Sequence, residues 1–579
     1  MDYAAVAVRC GKSLRGTGDN WDMQINPNNV RRGIKKKDLH LFASTIYVNR
    51  VNFDNLSRVG PKRDLETCSR NVFTLNVLEM QVLRENFMIL IGRICLEYMP
   101  AFKLLSPVIP FHISHRFSKE MEGKSTVIPL PILNLNEMVY QDIVQILRVY
   151  EKWIYEINVK AGVVQAGLFP EDHPQLQNDN PLPDQPRGHL VNIDDDDDIM
   201  RGIRVPFGGD QATRVRAAGA KDMVAGCHLP VDRVEHCAPF KPAMFHTKAN
   251  FLKQACKLLH SSESVNEVGT LMYFATKYDR KDYCPKKPLD SYEATEELFL
   301  SAGKAYILKA LLDYFGMLSV DDQPITNNPE ELKYKSIAEK NEYFRRVIGE
   351  FVDTYIFQRG RCPSHDDYIQ NYALLHAFLT MVLLQIKDTA AEGDGDRNLI
   401  NQKLLLTIFK SISNSSKYAI EMFVAIAQVE CLYSEQLAEE LKWGYFSSWK
   451  GGKGKNVEDD RTQEILIKIS KNVVKRMGAN KSIKSIETVT KAVGGIRQLA
   501  ENFDKDCCIH PQSSKHSKRD SKPDELSMLE DLATLNPFQY AAGRSHKSFP
   551  GIKRHPMKYM DIQDFHIWLD KHKKQMSNV

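Results

Sequence analysis

The sequence predicts a mixed α/β protein, mostly helical, with a small discontinuous sheet and a large helical domain inserted between Asp210 and Glu464. Three observations lead there. Helical apolar periodicity runs through a block of roughly 200 residues after His246, in the pattern of repeated core-facing stripes. Strand-like stretches, by contrast, are few and short. Finally, three acidic islands stand far apart, each beside a glycine or an element end: Gly18-Asp19-Asn20-Trp21-Asp22, Gly208-Gly209-Asp210-Gln211, and Asn456-Val457-Glu458-Asp459-Asp460 leading to Glu464. Carboxylates at strand ends and at a helix start suit convergence on divalent cations, because hard Mg²⁺ prefers oxygen ligands.

The elements follow in order. Residues 39–53 are rich in β-branched and aromatic side chains and partly alternate, which suits a strand. A helix is expected over 75–98. Residues 126–135 carry two prolines and read as an extended connector, ending at Asn136-Glu137 before a helix over 138–159. The stretch 167–198 holds Pro170, Pro174, Pro181, Pro183 and Pro186, then five consecutive aspartates from Asp194 to Asp198. Such a composition cannot bury enough apolar surface to fold alone and reads as a linker. Residues 203–207 form a short apolar strand stopping at Gly208-Gly209. Helices are expected over 250–260, 292–315, 335–359, 368–387, 401–413 and 418–443, then over 460–477 after a glycine- and lysine-rich loop. The stretch 507–522 is polar and Lys/Ser-rich, and is expected to be mobile. The corresponding domain division is 1–166 for the N-terminal core with a helical insertion, 167–202 for the acidic linker and 203–249 for the central core strand. The inserted helical domain covers 250–445, the basic loop and C-terminal core helix 446–506, and a flexible basic tail 507–579.

At 579 residues and 43% apolar content the chain can bury a full core and divide into two to four domains. The net charge of +5 says little about partners. Local balance says more: residues 1–63 hold 12 Lys/Arg against 5 Asp/Glu, and residues 450–500 repeat that ratio. Both stretches carry an acidic island, so a polyanion would be drawn towards carboxylates; an ordinary solvated basic surface is the alternative. Eleven cysteines without paired spacing read as reduced thiols, which fits cytosol or nucleus and excludes a disulfide framework. The opening residues show no signal-peptide pattern, and the longest apolar runs, 86–91 and 372–386, read as core helices shorter than the roughly 20 residues that span a bilayer.

Several motifs have plain structural readings. Gly11-Lys12-Ser13 is not a phosphate-binding loop, since Val6 stands where that motif needs a glycine. The loop with Lys450, Lys453 and Lys455 is not one either, but its lysines suit contact with phosphates. Asp19 and Asp22 also suit a turn. Asp210 follows two glycines that let the backbone aim its carboxylate past the sheet edge, with Gln211 beside it; ligands favour such strand ends. Asp460 and Gln463 fit a capping box, whereas Glu464 lies one turn into its helix on the face of Asp460, Lys468 and Lys471. Cys227, His228, His236, Cys237 and His246 cluster within twenty residues without zinc-type pairing, so zinc stays an open alternative. His246 is a core or cap histidine, or an active-site neighbour.

The segments GTGDNWDMQ, VPFGGDQATRVRAAGA, AMFHTKANFL and WGYFSSWKGGKGKNVEDDRTQEILIK, in that order, resemble the eukaryotic domain-of-unknown-function family 6589, over most of the chain. Members of that family look like relics of mobile elements, and the layout resembles transposases with an RNase H-like core, which place two aspartates on strands and a late acid on a helix behind a large helical insertion. The resemblance implies an α/β, RNase H-like mixed sheet core. Asp19, Asp210 and Glu464 are then the catalytic acids and metal ligands, holding two Mg²⁺ or Mn²⁺ ions about 4 Å apart. Asp22, Gln211, His246, Asp460, Lys471 and Glu137 are accessory candidates. The implied activity is a divalent-metal-dependent nuclease or strand transferase on DNA in the nucleus; the rival is an inactive nuclear DNA-binding or protein-interaction descendant. The scheme needs a first strand at 4–9 and a further insertion between Asn55 and Asp198. It also leaves no N-terminal DNA-recognition module, as in a truncated or decayed copy.

Overall fold

A computed structural model describes residues 1–25, 36–167, 169, 198–359, 367–413, 416–477, 481–507 and 520–577. Most of the expected 167–202 linker, and the 508–519 part of the expected tail, lie outside the described residues. The chain divides into two compact units, one of Met1–Gly60, Phe117–His246 and Tyr433–Gln512, the other of Pro61–Arg116, Thr247–Leu432 and Ser513–Val579. The expected fold class, mostly helical with a small mixed sheet, is what is found.

The first unit is built on a five-stranded sheet of β1 (Leu14–Ile25), β2 (Lys37–Val48), β3 (Val127–Pro129), β4 (Phe207–Gly209) and β5 (Phe240–Pro242), in the order β3-β2-β1-β4-β5. β1 and β2 pair antiparallel along their whole length, from Leu14 opposite Val48 to Ile25 opposite Lys37. β3 joins β2 antiparallel, while β4 and β5 add on the far side of β1, parallel to it. Its helices include α1 (Asp2–Arg9), α2 (Tyr140–Ala161), α3 (Gln211–Val224), the start of α4 (Met244–Leu259), α5 (Asp459–Arg476) and α6 (Ile483–Asp506).

Side chains alternate across the sheet, as strand geometry demands, and each face has its own core. Phe42, Ile46 and Val48 pack with Ile143, Ile146, Tyr150 and Ile154 of α2 and Ala217 and Ala220 of α3. Trp21, Leu39, Leu41 and Ala43 on the opposite face pack with Ile467 and Val474 of α5 and Ile486 of α6. Helices thus cover both faces of this sheet.

Three expectations are corrected here. The segment 4–9 is not the first strand but part of α1, whose Ala4 and Ala5 are buried. The first strand instead contains the acidic island that suits a turn. Its glycines serve packing: a Cβ on Gly16 would strike the Phe207 ring, and one on Gly18 would lie 2.6 Å from the Phe42 ring and 2.9 Å from the Tyr150 hydroxyl. The strand expected at 203–207 starts only at Phe207, because Pro206 has no N–H for a ladder.

The second unit is helical. Val77–Tyr98 opens with an Asn76/Glu79 capping box. Tyr292–Phe315 and Tyr368–Glu392 are buried on most of their surface, with Phe299, Tyr306, Leu308, Tyr372 and Leu374 inaccessible. Among the described residues Tyr368–Glu392 is the one helix long and apolar enough to cross a membrane, longer than the 372–386 run suggests, and most of it is buried in this unit. The inserted helical block also draws on residues outside 250–445. The expected flexible tail is corrected over 520–577: Lys522–Leu535 and Ile562–Ser577 are helices, because Met528, Leu529, Leu532, Phe565 and Leu569 form helical apolar stripes and are buried.

Candidate metal centre

Asp19 sits near the middle of β1, opposite Ala43 of β2, on the strand face it shares with Thr17 and Trp21. On the other side of β1, Gly16 pairs with Phe207 and Thr17 with Gly208. Continuing that register brings Asp210 level with Asp19 just past the end of β4, where strands lie about 4.8 Å apart. β5 ends alongside at Pro242 opposite Gly209, and two residues later α4 begins, with His246 in its first turn. Glu464 comes from α5, the helix packed over this face. Three strand or helix ends therefore meet at one edge, the usual place for a site in an α/β sheet.

Asp19, His246 and Glu464 each offer one ligand atom, and these atoms all lie within 4.8 Å of one another. Among the described residues no other such group occurs. His246 Nε2 is 3.7 Å from the Glu464 carboxylate, whose side chain is 43% exposed and opens the cluster to solvent. On its inner side His246 is held by Asp460: Nδ1 lies 3.0 Å from Asp460 Oδ2, which also accepts from the His246 backbone N–H at 3.0 Å, while Oδ1 accepts from that of Phe245 at 3.1 Å. Asp460 therefore caps α4, not its own helix; α5 follows Glu458 with no side-chain cap.

Electrostatics reflect this crowding. Burial raises Asp19 well above the carboxylate range; Glu464, Asp210 and Glu137 push it further up, and His246 opposes them. For His246, burial acts downward, but the hydrogen bond and charge of Asp460, with Asp19 and Asp210 adding, carry it to about 9. Burial would lift Asp460, yet His246 and the two backbone donors hold it below its usual value. Such a set of carboxylates is strained by mutual repulsion and relieved by positive charge.

The remaining candidates take varied places. Asp210 caps α3, accepting from the Thr213 N–H at 2.7 Å, and is outside the three-residue group although its charge acts on two members. Glu137 stands behind it, accepting from the Thr213 hydroxyl at 2.6 Å with Arg216 3.7 Å away; burial, then the charge of Asp210, raises it. Gln211 is the first residue of α3 and half-buried. Asp22 is an odd number of residues from Asp19, so it faces the other side of β1, exposed and paired with His40 at 2.8 Å. Lys471 is half-buried, two turns along α5 from Glu464. Lys450, Lys453 and Lys455 are exposed in the loop between β6 (Phe446–Ser447) and β7 (Val457–Glu458), with Lys453 3.6 Å from Glu122. Of the cysteine–histidine stretch only His246 enters a ligand group among the described residues, and Cys227, His228, His236 and Cys237 do not; His236 is buried between Glu151 at 2.8 Å and Asp198 at 2.9 Å.

Sequence reasoning passed over the polar network beneath the cluster. Arg15 of β1 donates to both Asp459 oxygens, at 2.7 and 3.1 Å, and to Asn49 and the Phe446 carbonyl. Lys241 of β5 lies 3.4 Å from Asp459 and also donates to the Gly444 carbonyl; burial pushes it down to about 8 against the pull of Asp459. The Tyr47 hydroxyl donates to the Asp459 carbonyl at 2.9 Å. The first turn of α5 is thereby fastened to β1, β2 and β5. Lys241 offered a signal, a charge between Phe240 and Pro242 in a short strand, whereas Arg15 stands among glycines and polar residues and offered none.

No match was found among curated proteins or among solved structures. The profile of a family of unknown function, DUF6589, matches residues 66–516, most of the chain. The protein belongs to the DUF6589 family.

Proposed function

We propose that this protein is a divalent-cation-dependent nuclease or strand transferase acting on DNA, descended from a mobile element and built on an RNase H-like core. The observation that carries the reading is the convergence of Asp19 from the central strand, Glu464 from α5 and His246 from α4 to within 4.8 Å, beside Asp210 at the end of the neighbouring strand. The sheet order and pairing, and the helical insertion between β5 and the helix of the last acid, support the core assignment.

The donor set fits a cation. Carboxylate oxygen and imidazole nitrogen are both donors that divalent cations accept, and the three ligand atoms already lie within 4.8 Å of one another. When bound, Mg²⁺ or Mn²⁺ polarises a phosphoryl oxygen and activates water or a 3′ hydroxyl. Asp19 from β1 and Glu464 from α5 would hold the ion. Asp460 fixes the His246 ring, and Asp210, with one oxygen committed to Thr213, would be the further carboxylate for a second ion. Lys468, Lys471 and Lys475 continue the Glu464 face along α5 and supply phosphate contacts.

One observation favours a second reading. His246 stands 3.0 Å from Asp460 and 3.7 Å from Glu464, and against burial the hydrogen bond and charge of Asp460 raise it, so a protonated imidazole can stand where a metal would. That suits an inactive nuclear descendant that binds DNA or protein. Calorimetry with Mg²⁺ and Mn²⁺ on the parent and Asp19→Asn, beside cleavage of a labelled duplex, separates the two. Metal binding and metal-dependent cleavage that both vanish in Asp19→Asn are expected; an intact, folded parent that neither binds nor cleaves favours the second reading.

A further inference from the structure

We infer that His246 is itself a metal ligand through Nε2, and that Asp19, His246 and Glu464 form a mixed nitrogen–oxygen site selective for a first-row transition cation, Mn²⁺ or Zn²⁺, over Mg²⁺. This deepens the cation-centre reading and needs only that part of it, not the nuclease chemistry.

Four observations carry the inference. Nδ1 is engaged by Asp460 at 3.0 Å, which leaves Nε2 as the ring nitrogen on the side of Asp19 and Glu464. A carboxylate on the distal nitrogen of a ligating histidine is the arrangement that fixes tautomer and ring plane in metal sites. Asp460 is itself immobilised by two backbone donors from the first turn of α4, so ring and orienter move as one piece. His246 is 8% exposed while Glu464 opens to solvent, giving a site with a protected inner ligand and an accessible outer side. Three protein ligands with open positions is a catalytic pattern, whereas structural zinc sites are closed by four.

Donor chemistry then sets the preference. Imidazole suits Zn²⁺, Fe²⁺ and Cu²⁺, and is accepted by Mn²⁺, whereas Mg²⁺ takes oxygen and retains water. A site of oxygens alone, such as Asp19, Asp210 and Glu464, would favour Mg²⁺. Substituting an imidazole for one carboxylate lowers the charge of the donor set and shifts selection to the transition ions.

The test uses the whole chain. Spin-echo EPR of the Mn²⁺-loaded protein reads directly whether nitrogen is coordinated, and calorimetry with Mn²⁺, Zn²⁺ and Mg²⁺ reads the preference. Expected are ¹⁴N modulation in the parent and Mn²⁺ binding at least about tenfold tighter than Mg²⁺. In His246→Gln, the modulation is lost and the two affinities converge, with Mg²⁺ still held by Asp19 and Glu464. Asp460→Asn should keep the modulation and weaken Mn²⁺ by about 10- to 100-fold. Absence of ¹⁴N modulation in the Mn²⁺-loaded parent overturns the inference without any variant, as does modulation that persists in folded His246→Gln. The outcomes stay distinct from those of the proposed function: nitrogen coordination without duplex cleavage removes the nuclease reading alone, and Mg²⁺-dependent cleavage without nitrogen coordination removes the histidine ligand alone.

Discussion

Asp460 binds His246 twice through one oxygen, accepting its backbone N–H at 3.0 Å and standing 3.0 Å from its ring Nδ1. The carboxylate thus begins a helix and sets the state of its side chain through a single atom. Replacing it with asparagine keeps the shape and removes the charge that lifts His246. In the parent, the His246 ring proton should titrate near 9 by NMR; in Asp460→Asn the midpoint should fall, because burial then dominates. The linkage sign follows. A histidine raised above its unfolded value of about 6.5 stabilises fully below that pH, and loses its contribution as pH rises through about 9. The parent's urea midpoint should accordingly fall between pH 6.5 and 9 more than that of the variant.

Arg15 and Asp459 form an ion pair with each side chain only 3% exposed. Removing one partner of such a pair leaves a buried charge uncompensated, which costs about 3–5 kcal/mol. Arg15→Met should therefore unfold at much lower urea than the parent. Lys241→Met should cost less, since Lys241 stands 3.4 Å from Asp459 and burial already favours its neutral form. Equal losses for the two variants would show that Lys241 carries the pair as much as Arg15 does.

Much of this site was legible because its acids sit beside glycines and helix starts, and those signals survive without the fold. The first strand was not, because Gly16, Gly18 and Asp19 have turn chemistry. Only Phe207, Phe42 and Tyr150, distant in sequence, explain why two glycines stand in a strand. His246 was legible as a neighbour but not as a member of the group, since its partner Asp460 lies 214 residues away in the sequence. Asp22 and Asp19 read alike in sequence, yet strand alternation sends them to opposite faces.

Gly18→Ala tests the packing that positions Asp19. The new methyl would lie 2.6 Å from the Phe42 ring, and overpacking of this kind costs about 1–3 kcal/mol. Because Asp19 is the next residue, Mn²⁺ affinity should fall along with the thermal midpoint. A variant that loses stability but binds Mn²⁺ as tightly as the parent would mean that β1 absorbs the clash without moving Asp19.

Glu464, Lys468, Lys471 and Lys475 share one face of α5, with Lys468 and Lys475 exposed. Their spacing of four, three and four residues keeps a line along the helix, so cations lead away from Glu464, whose side chain is 43% exposed. On the proposed function, a phosphate backbone following that line would reach the Asp19–His246–Glu464 group from the side of Glu464. Replacing the three lysines with alanine should weaken duplex binding equally for all sequences. The slope of log affinity against log salt should shrink by about 0.9 for each phosphate that is no longer neutralised. Fold and Mn²⁺ binding should be untouched, since none of the three belongs to the 4.8 Å group. An unchanged salt slope would remove this face from the proposed DNA contact and leave the exposed loop of Lys450, Lys453 and Lys455 to carry it.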